Sequence, residues 1–295
     1  MNIDLAQLDA LAAAVSEGTF DAAARALHVT PSAVSQRVKA LEMSVGRVLL
    51  VRTKPVRPTS SGEALLRLAR QIHTLTGDVS RELGADDAAD RPLVIPLAVN
   101  ADSLATWFLP AIAAVGPPLA FDLHRADQEQ TADLLRQGSV MAAVTSSADP
   151  VPGCTVERLG RMRYHPSASR SFAARWFPAG VTPDALSRAP VVVFDRDDRL
   201  QDRYLQRRTR RRLDPPRSHI PGSADFVEAV RLGLGWGMIA DQQLASYAHR
   251  HGEFVDLDPA TSLDVRLFWQ QWRLHSAALQ RVAAAVRSAA AESLA

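Results

Sequence analysis

Between Phe20 and Val45 the chain reads FDAAARALHVTPSAVSQRVKALEMSV, and its apolar positions recur twice at helical spacing with a three-residue break between. At about 100° per residue, Val34, Val38, Leu41 and Val45 fall within a narrow arc, and Ser32, Ser35, Gln36, Lys39 and Met43 lie opposite. The pattern predicts an amphipathic helix whose outer face carries hydroxyls, an amide and one cation instead of the Glu and Lys of an ordinary solvated face. Hydroxyls and amides hydrogen-bond base edges, and a cation pairs with phosphate, so such a face suits the major groove of DNA. Thr30 is the expected N-cap, with Pro31 at the first helical position, where a missing N–H costs nothing. Phe20, Ala23, Ala24 and Leu27 predict a short preceding helix, and His28-Val29-Thr30 has the length of a helix-turn-helix turn. Asp4 with Gln7 predicts a capping box. It opens a first helix whose Leu8, Leu11 and Val15 close a three-helix core and which ends near Gly18.

Downstream, Ser60 and Glu63 form an S-x-x-E capping box, and Leu65, Leu68, Ile72, Leu75 and Val79 then alternate at spacings of three and four. This is an a/d seam of about two heptads, expected to pair two subunits; the alternative is one amphipathic helix packed on its own domain. Asp86, Asp87 and Asp90, among alanines and before Pro92, mark a hinge.

Beyond the hinge the periodicity alternates between two and 3.6. Strands are expected at 93–100, 119–124 and 140–145, with helices at 103–115 and 128–137 between them, which is the pattern of βα units in an α/β sheet. A second group has strands near 191–195 and 237–240 and helices near 199–212 and 223–232. A strand at 266–272 returns to the first group. The chain thus crosses twice between two lobes, near Met162 and near Leu263. Ligands of open α/β sheets collect at strand C-terminal ends beside helix N-termini. Here those ends carry Asn100 to Ser103, His124 to Asp127, Thr145-Ser146, Asp195 and Ser223.

Charge sharpens the division. Between Arg25 and Pro58 seven Lys or Arg face one acid, Glu42, whereas the first 24 residues carry four acids and no base. Phosphate neutralisation supplies the sequence-independent part of DNA affinity, so the basic window belongs on the DNA side. At 295 residues and 47% apolar composition the chain supports two or three globular units. A single cysteine, Cys154, excludes an intramolecular disulfide framework. No run of 18 apolar residues predicts a membrane span, and the opening MNIDLAQLDA lacks the basic and apolar regions of a signal peptide; a cytoplasmic location is expected. No P-loop, G-x-G-x-x-G, G-x-S-x-G or H-E-x-x-H occurs, so no enzyme is expected, and no cofactor. His249 and His251 lack metal-site spacing, and no metal is expected. The run Arg207 to Arg212 reads as a solvated helix end with cations at its C-terminus. Trp269 and Trp272 read as core or lobe-interface aromatics, and Cys154 as structural.

The segments FDAAARALHVTPSAVSQRVKALE and VGRVLLVRTKPVRPTSSGEALL resemble the winged helix-turn-helix of LysR-type transcriptional regulators. The resemblance implies an α-rich DNA-binding module (1–59), a linker helix and hinge that dimerise (60–90), and a two-lobed, periplasmic-binding-protein-like α/β effector domain (91–295). Lobe I would cover about 91–162 and 264–295, and lobe II about 163–263. It also implies a wing from Leu49 to Pro58, with Arg52 and Arg57 at its backbone-contacting positions. The DNA-binding residues expected are therefore Thr30, Pro31, Ser32, Ser35, Gln36, Lys39, Arg52 and Arg57.

The blocks LAVNADSLATWFLPAI, APVVVFD and GSADFVEAVRLGLGWGMI resemble the ArgP/LysG subgroup of that family, which senses basic amino acids and includes proteins described as inhibitors of chromosome initiation. This implies an activator of a basic-amino-acid export or metabolism gene. Its partners would be an operator on double-stranded DNA, a second copy of itself in a dimer or tetramer, RNA polymerase, and lysine or arginine as effector. The effector carboxylate would sit at helix N-termini and hydroxyls, with Ser103, Thr106 and Ser223 as candidates. Its cationic groups would meet Asp102, Asp127 and Asp195, with Asn100 and Thr145 beside them. The subgroup carries two adjacent acids where this chain has Ala126-Asp127 after Arg125. The alternative is therefore a LysR-type regulator or repressor that responds to a different small metabolite.

Overall fold

The computed structural model describes residues 3–83, 93–117, 119–126, 128–246 and 254–295. The N-terminal unit begins with α1 (Leu5–Ser16), α2 (Phe20–Ala26) and α3 (Pro31–Val45). Each start is fixed by a side-chain oxygen on an otherwise orphaned N–H: Asp4 accepts from Ala6 and Gln7, Thr19 from Ala22, and Thr30 from Ala33. The reciprocal half of the expected first capping box does not form, because Gln7 Oε1 is buried without a hydrogen-bond donor. Leu8, Leu11, Val34, Val38 and Leu41 are fully buried together and close the three-helix core. The wing follows as β1 (Leu50–Val51) antiparallel to β2 (Arg57–Pro58).

The long helix α4 (Ser60–Glu82) starts one residue earlier than the S-x-x-E spacing predicts. Thr59 caps it, its Oγ1 accepting from Gly62 N at 3.1 Å while donating to Val48 O at 2.8 Å. Gly62 is required there, since a Cβ would lie 2.0 Å from the Leu49 carbonyl oxygen. The seam is also divided differently from the expectation. Leu65 is buried in the core of its own N-terminal unit, with Leu68 and Ile72 packed against it. Only Leu75 and Val79, 38% and 52% exposed, stay open to a partner. The reason is that α1 and the wing lie across the first turns of α4 and cover that stretch. On another side, α4 meets the next unit: Arg67 and Arg70 donate to the carbonyls of Arg136 and Gly138, and Thr74 Oγ1 contacts Met141 Sδ at 3.5 Å. Burial there lowers the Arg70 pKa, against the pull of Asp122. The expected hinge at Asp86, Asp87 and Asp90 lies outside the described residues.

The remaining residues form the α/β unit. Strand β3 (Leu93–Val99) leads into α5, which runs through Ala101–Ser103, a π-helical turn Leu104–Phe108 and Leu109–Ala113. Then come β4 (Leu119–Arg125), α6 (Gln128–Arg136), β5 (Ala142–Thr145) and β6 (Cys154–Ser169). The second lobe holds α7 (Arg170–Trp176), α8 (Pro183–Arg188), β7 (Val191–Val193), α9 (Leu200–Thr209) and β8 (Arg217–His219). It continues through α10 (Ser223–Arg231), β9 (Gly237–Ala240), α11 (Asp241–Ser246) and β10 (Phe254–Asp256). Strand β11 (Leu263–Trp272) returns, and α12 (Ala277–Ser293) closes the chain.

The main sheet has the order β10-β6-β11-β5-β3-β4, with β9 also on β6. The crossovers expected near Met162 and Leu263 are β6 and β11 themselves. They pair antiparallel from Leu263↔Tyr164 to Trp272↔Cys154, so one continuous pair of strands serves both lobes. Met162, Trp269 and Trp272 are buried in the shared core, as expected for the two tryptophans. Of the basic run, Arg208 pairs with Asp258 at 3.0 Å and Arg207 reaches Ser262 O at 3.4 Å. Cys154 is buried in the core, its thiol pushed up to about 11 mainly by burial. No described helix is long and apolar enough to cross a membrane, and the described residues contain no cluster of three His, Cys, Asp or Glu able to hold a metal ion.

Candidate functional site

Two surfaces carry the chemistry. On α3, Val34, Val38 and Leu41 anchor the inner side, which leaves Thr30, Pro31, Ser32, Gln36, Lys39 and Met43 exposed and Ser35 half-buried. The face is free because its helix is held from behind. Glu42, the one acid in the basic window, is turned inward, its Oε1 accepting from Leu49 N at 2.8 Å. No described carboxylate pairs with Arg25, Arg37, Lys39, Arg47, Arg52, Lys54 or Arg57, so the positive charge stays available. Arg52 and Arg57 are exposed on the wing, and the Arg52 guanidinium stacks over the Phe20 ring at 5.5 Å, which ties the wing to α2.

The second surface is a cleft of about 680 Å³ between the lobes, within the roughly 300–1,000 Å³ of ligand pockets. Asn100, Asp102, Thr145 and Asp195 line it as expected from their strand ends. Ser103 and Thr106 do not. Both are engaged elsewhere: Ser103 Oγ is buried against Met162 Sδ at 3.6 Å, and Thr106 Oγ1 donates to its own helix at Asp102 O, 2.7 Å. Ser223 contributes indirectly, through Asp102. Asp127 lies outside the described residues.

Asp102 is the hub of a network that ties the lobes together. Tyr164 Oη donates to Oδ2 at 2.8 Å, while Ser223 Oγ and Gln243 Nε2 donate to Oδ1 at 2.8 and 3.2 Å. Gln243 also donates to Ser223 Oγ at 2.7 Å and is oriented by accepting from Ala240 N at 3.0 Å. Asp195 is likewise engaged, Oδ1 accepting from Asp197 N and Asp198 N at 2.8 and 2.9 Å to close a turn.

The same turn delivers two residues that the sequence alone did not single out. Burial pushes the Asp198 carboxyl above the usual carboxylate range, although hydrogen bonds from Leu200 N, Phe194 N and the Gln201 side chain oppose the shift; nearby Asp102 adds to it. Gln201 is 1% exposed, yet its Oε1 finds no donor among the described residues, and neither does Asn100 Oδ1. A buried unpaired acceptor costs about 1–3 kcal/mol, so both atoms invite a donor from a ligand. Across the cleft mouth, Arg125 sits 5.9 Å from the Phe194 ring. A second groove, about 890 Å³, lies beyond the Asp195–Arg203 segment, is lined largely by exposed charged side chains, and has Arg217 already paired with Asp202 at 2.6 Å. The inter-lobe cleft is the better ligand site.

Residues 5–63 match the family described as "Bacterial regulatory helix-turn-helix protein, lysR family", and residues 90–291 match the LysR substrate binding domain. The chain is similar to the lysine export transcriptional regulatory protein LysG of Corynebacterium glutamicum, 42% identical over 295 residues that cover 98% of each chain. It superposes on the crystal structure of ArgP from Mycobacterium tuberculosis with a TM-score of 0.87 at 46% identity, over 98% of this chain and 97% of that one. It superposes on full-length C. glutamicum LysG with bound effector Arg with a TM-score of 0.78 at 38% identity, over 99% of both.

Proposed function

The chain belongs to the LysR family of DNA-binding transcriptional regulators, and from that premise we propose that it activates a gene for basic-amino-acid export or metabolism in response to lysine or arginine. The observation that carries this is the charge of the cleft. Four carboxylates, Asp102, Asp195, Asp197 and Asp198, outnumber the two guanidiniums, Arg199 and Arg203, in its lining, and the unpaired oxygens of Asn100 and Gln201 add to them, an acceptor-rich surface that favours a cation. The relative of known structure holds arginine, which agrees with that chemistry. Thr145, Ser146 and the N-terminal end of α6 offer hydroxyls and backbone N–H groups for an α-carboxylate.

On DNA, Ser32, Ser35, Gln36 and Lys39 read the major groove from the N-terminal half of α3, Thr30 and Pro31 set its entry, and Arg52 and Arg57 contact the backbone from the wing. The operator is bound by a dimer or tetramer held through the exposed end of α4, and activation proceeds through RNA polymerase in the cytoplasm. The protein acts by binding, not as an enzyme. Calorimetric titration of the full-length protein tests the effector: heats are expected with lysine or arginine and none with glutamate or leucine, and the reverse would overturn the reading. A second reading, a LysR-type regulator or repressor of a different metabolite, rests on Ala126, buried where the resembling subgroup carries an acid.

A further inference from the structure

We propose that the groove of about 890 Å³ beyond the Asp195–Arg203 segment binds a compact anion carrying several phosphates, a nucleoside polyphosphate or an inorganic polyphosphate. For a cationic effector that groove is the poorer site, but its lining is of the opposite kind to the cleft's. Six guanidiniums and His219 stand there against four carboxylates. Asp195 and Asp198 accept from backbone N–H groups of their own turn and also line the cleft on its other side. Asp202 and Asp214 both sit on Arg217, at 2.6 and 3.4 Å. Arg196, Arg203, Arg211 and Arg212 are exposed and have no carboxylate partner among the described residues, and Arg199 comes no closer than 4.0 Å to Asp202. Like charges gathered around one concavity repel one another, and a multivalent anion relieves that repulsion.

A solvated helix end does not account for this arrangement. Cations favour the C-terminal end of a helix dipole, which suits Arg207 and Arg208 in the last turn of α9, and these two are taken by Ser262 O and Asp258. Arg196 precedes α9, and Arg199 is its N-cap without a side-chain cap bond, at the end where the dipole repels a cation. The opposite wall is turned inward by strain. Arg210 is one of two described non-glycine residues in the left-handed region, at φ 55°, a conformation costly for a residue that bears a Cβ. It reverses the chain after α9, and Thr209 Oγ1 holds the reversal by accepting from Arg211 N at 3.2 Å while donating to Leu205 O at 2.7 Å. Arg211 and Arg212 thereby line the same groove as Arg196 and Arg203. Buried Val193 and Leu205, with half-buried Leu213, supply its apolar base.

The occupant follows from these groups. A guanidinium fork matches phosphate oxygens bidentately, and a single phosphate engages too few of the free arginines to offset their repulsion, whereas several in a row reach both walls. A concavity of this size admits a small molecule and not a DNA duplex. Its apolar base has room for a nucleobase, on which arginine planes also stack.

The test is calorimetric titration of the full-length protein, at one fixed ionic strength, with adenosine triphosphate, inorganic tripolyphosphate and inorganic phosphate. Wild type is compared with Arg196→Ala, with the double variant Arg211→Ala/Arg212→Ala and with Arg52→Ala on the wing, alongside thermal melts and titrations on random DNA. Wild type should bind tripolyphosphate at one saturable site per chain, and inorganic phosphate at least about tenfold more weakly. The two groove variants, whose side chains are exposed, should melt as wild type and lose about tenfold or more in tripolyphosphate affinity, and Arg52→Ala should bind it as wild type does. Tighter binding of adenosine triphosphate than of tripolyphosphate would identify a nucleotide as the ligand, and equal or weaker binding a bare polyphosphate chain; either upholds the site. No saturable binding by wild type, or undiminished affinity in the groove variants, would overturn it. Binding abolished by Arg52→Ala would place the anion on the DNA-binding module instead. Groove variants that keep tripolyphosphate but lose random DNA would make the patch a DNA contact, which also overturns the proposal.

Discussion

Gln36 stands exposed near the middle of the polar face of α3, and an amide can make a bidentate contact to adenine worth roughly 1–3 kcal/mol of discrimination. Gln36→Ala is therefore expected to weaken operator binding by that amount and to leave affinity for random DNA nearly unchanged. Arg52→Ala should instead weaken binding to every sequence and lower the salt slope by about one. Titrations of both variants on operator and random DNA over a range of salt check this, and equal losses on both DNAs would remove Gln36 from the readout. Gly62 gives a stability prediction. With a Cβ 2.0 Å from the Leu49 carbonyl oxygen, Gly62→Ala must displace α4 from the wing. The strain of such overpacking is typically about 1–3 kcal/mol, read as a lower denaturation midpoint. The polar face and the caps were legible from residue type and spacing alone. The surroundings of Asp198 and Gln201 were not, because they depend on a turn that Asp195 closes and on burial in the folded chain, neither of which leaves a periodic signal.

Among the elements, α4 serves two masters. Its first turns are consumed by its own N-terminal unit, so a charge at Ile72 would disturb folding as well as assembly. Leu75 and Val79, exposed in the single chain, isolate the seam. Leu75→Asp with Val79→Asp should yield monomers in sedimentation with an unchanged melting profile of the N-terminal unit; an unaltered oligomer would place the dimer interface elsewhere. The β6 and β11 pair carries a pH signature. Asp264 accepts from Arg163 at 2.9 Å and pairs with Arg161 at 2.9 Å, and the Arg163 bond holds its carboxyl below the usual range. A depressed folded value means stability that is present above the unfolded value of about 3.9 and lost as pH falls through the folded one. Asp264→Asn should therefore lower the denaturation midpoint at neutral pH and match wild type at strongly acid pH. Strand β6 escaped the sequence reading because TVERLGRMRYH mixes charged and apolar positions without clean alternation. That composition follows from a strand whose Glu157, Arg161 and Arg163 are paired at the surface while Met162 and Tyr164 are buried.

For the molecule as a whole, the decisive contact is the Asp102 network, which joins a helix of one lobe to two helices of the other across the cleft. It holds the two lobes to one another, and a ligand shifts their balance only by its differential affinity for the closed arrangement. Ser223→Ala with Gln243→Leu should raise the radius of gyration of the unliganded protein in small-angle scattering and restore compaction when arginine is added. No change in either state would show that the network is incidental to closure. The grip of Arg67, Arg70 and Thr74 on the 136–141 segment supplies a physical path between the lobe geometry and α4.

By itself the sequence determined the helix-turn-helix, the long helix, the alternation of strands and helices beyond it and the placement of Asn100, Asp102, Thr145 and Asp195 at strand ends, since each follows from local periodicity, capping chemistry or charge. Only the tertiary structure decided that Ser103 and Thr106 turn away from the cleft and that Thr59 displaces Ser60 as the cap. It alone showed that Leu65 belongs to an intramolecular core and that Asn100 and Gln201 have buried acceptors to spare. These depend on which surfaces meet across long separations in the chain, and burial and hydrogen-bond satisfaction are properties of that meeting, not of any residue within its own window.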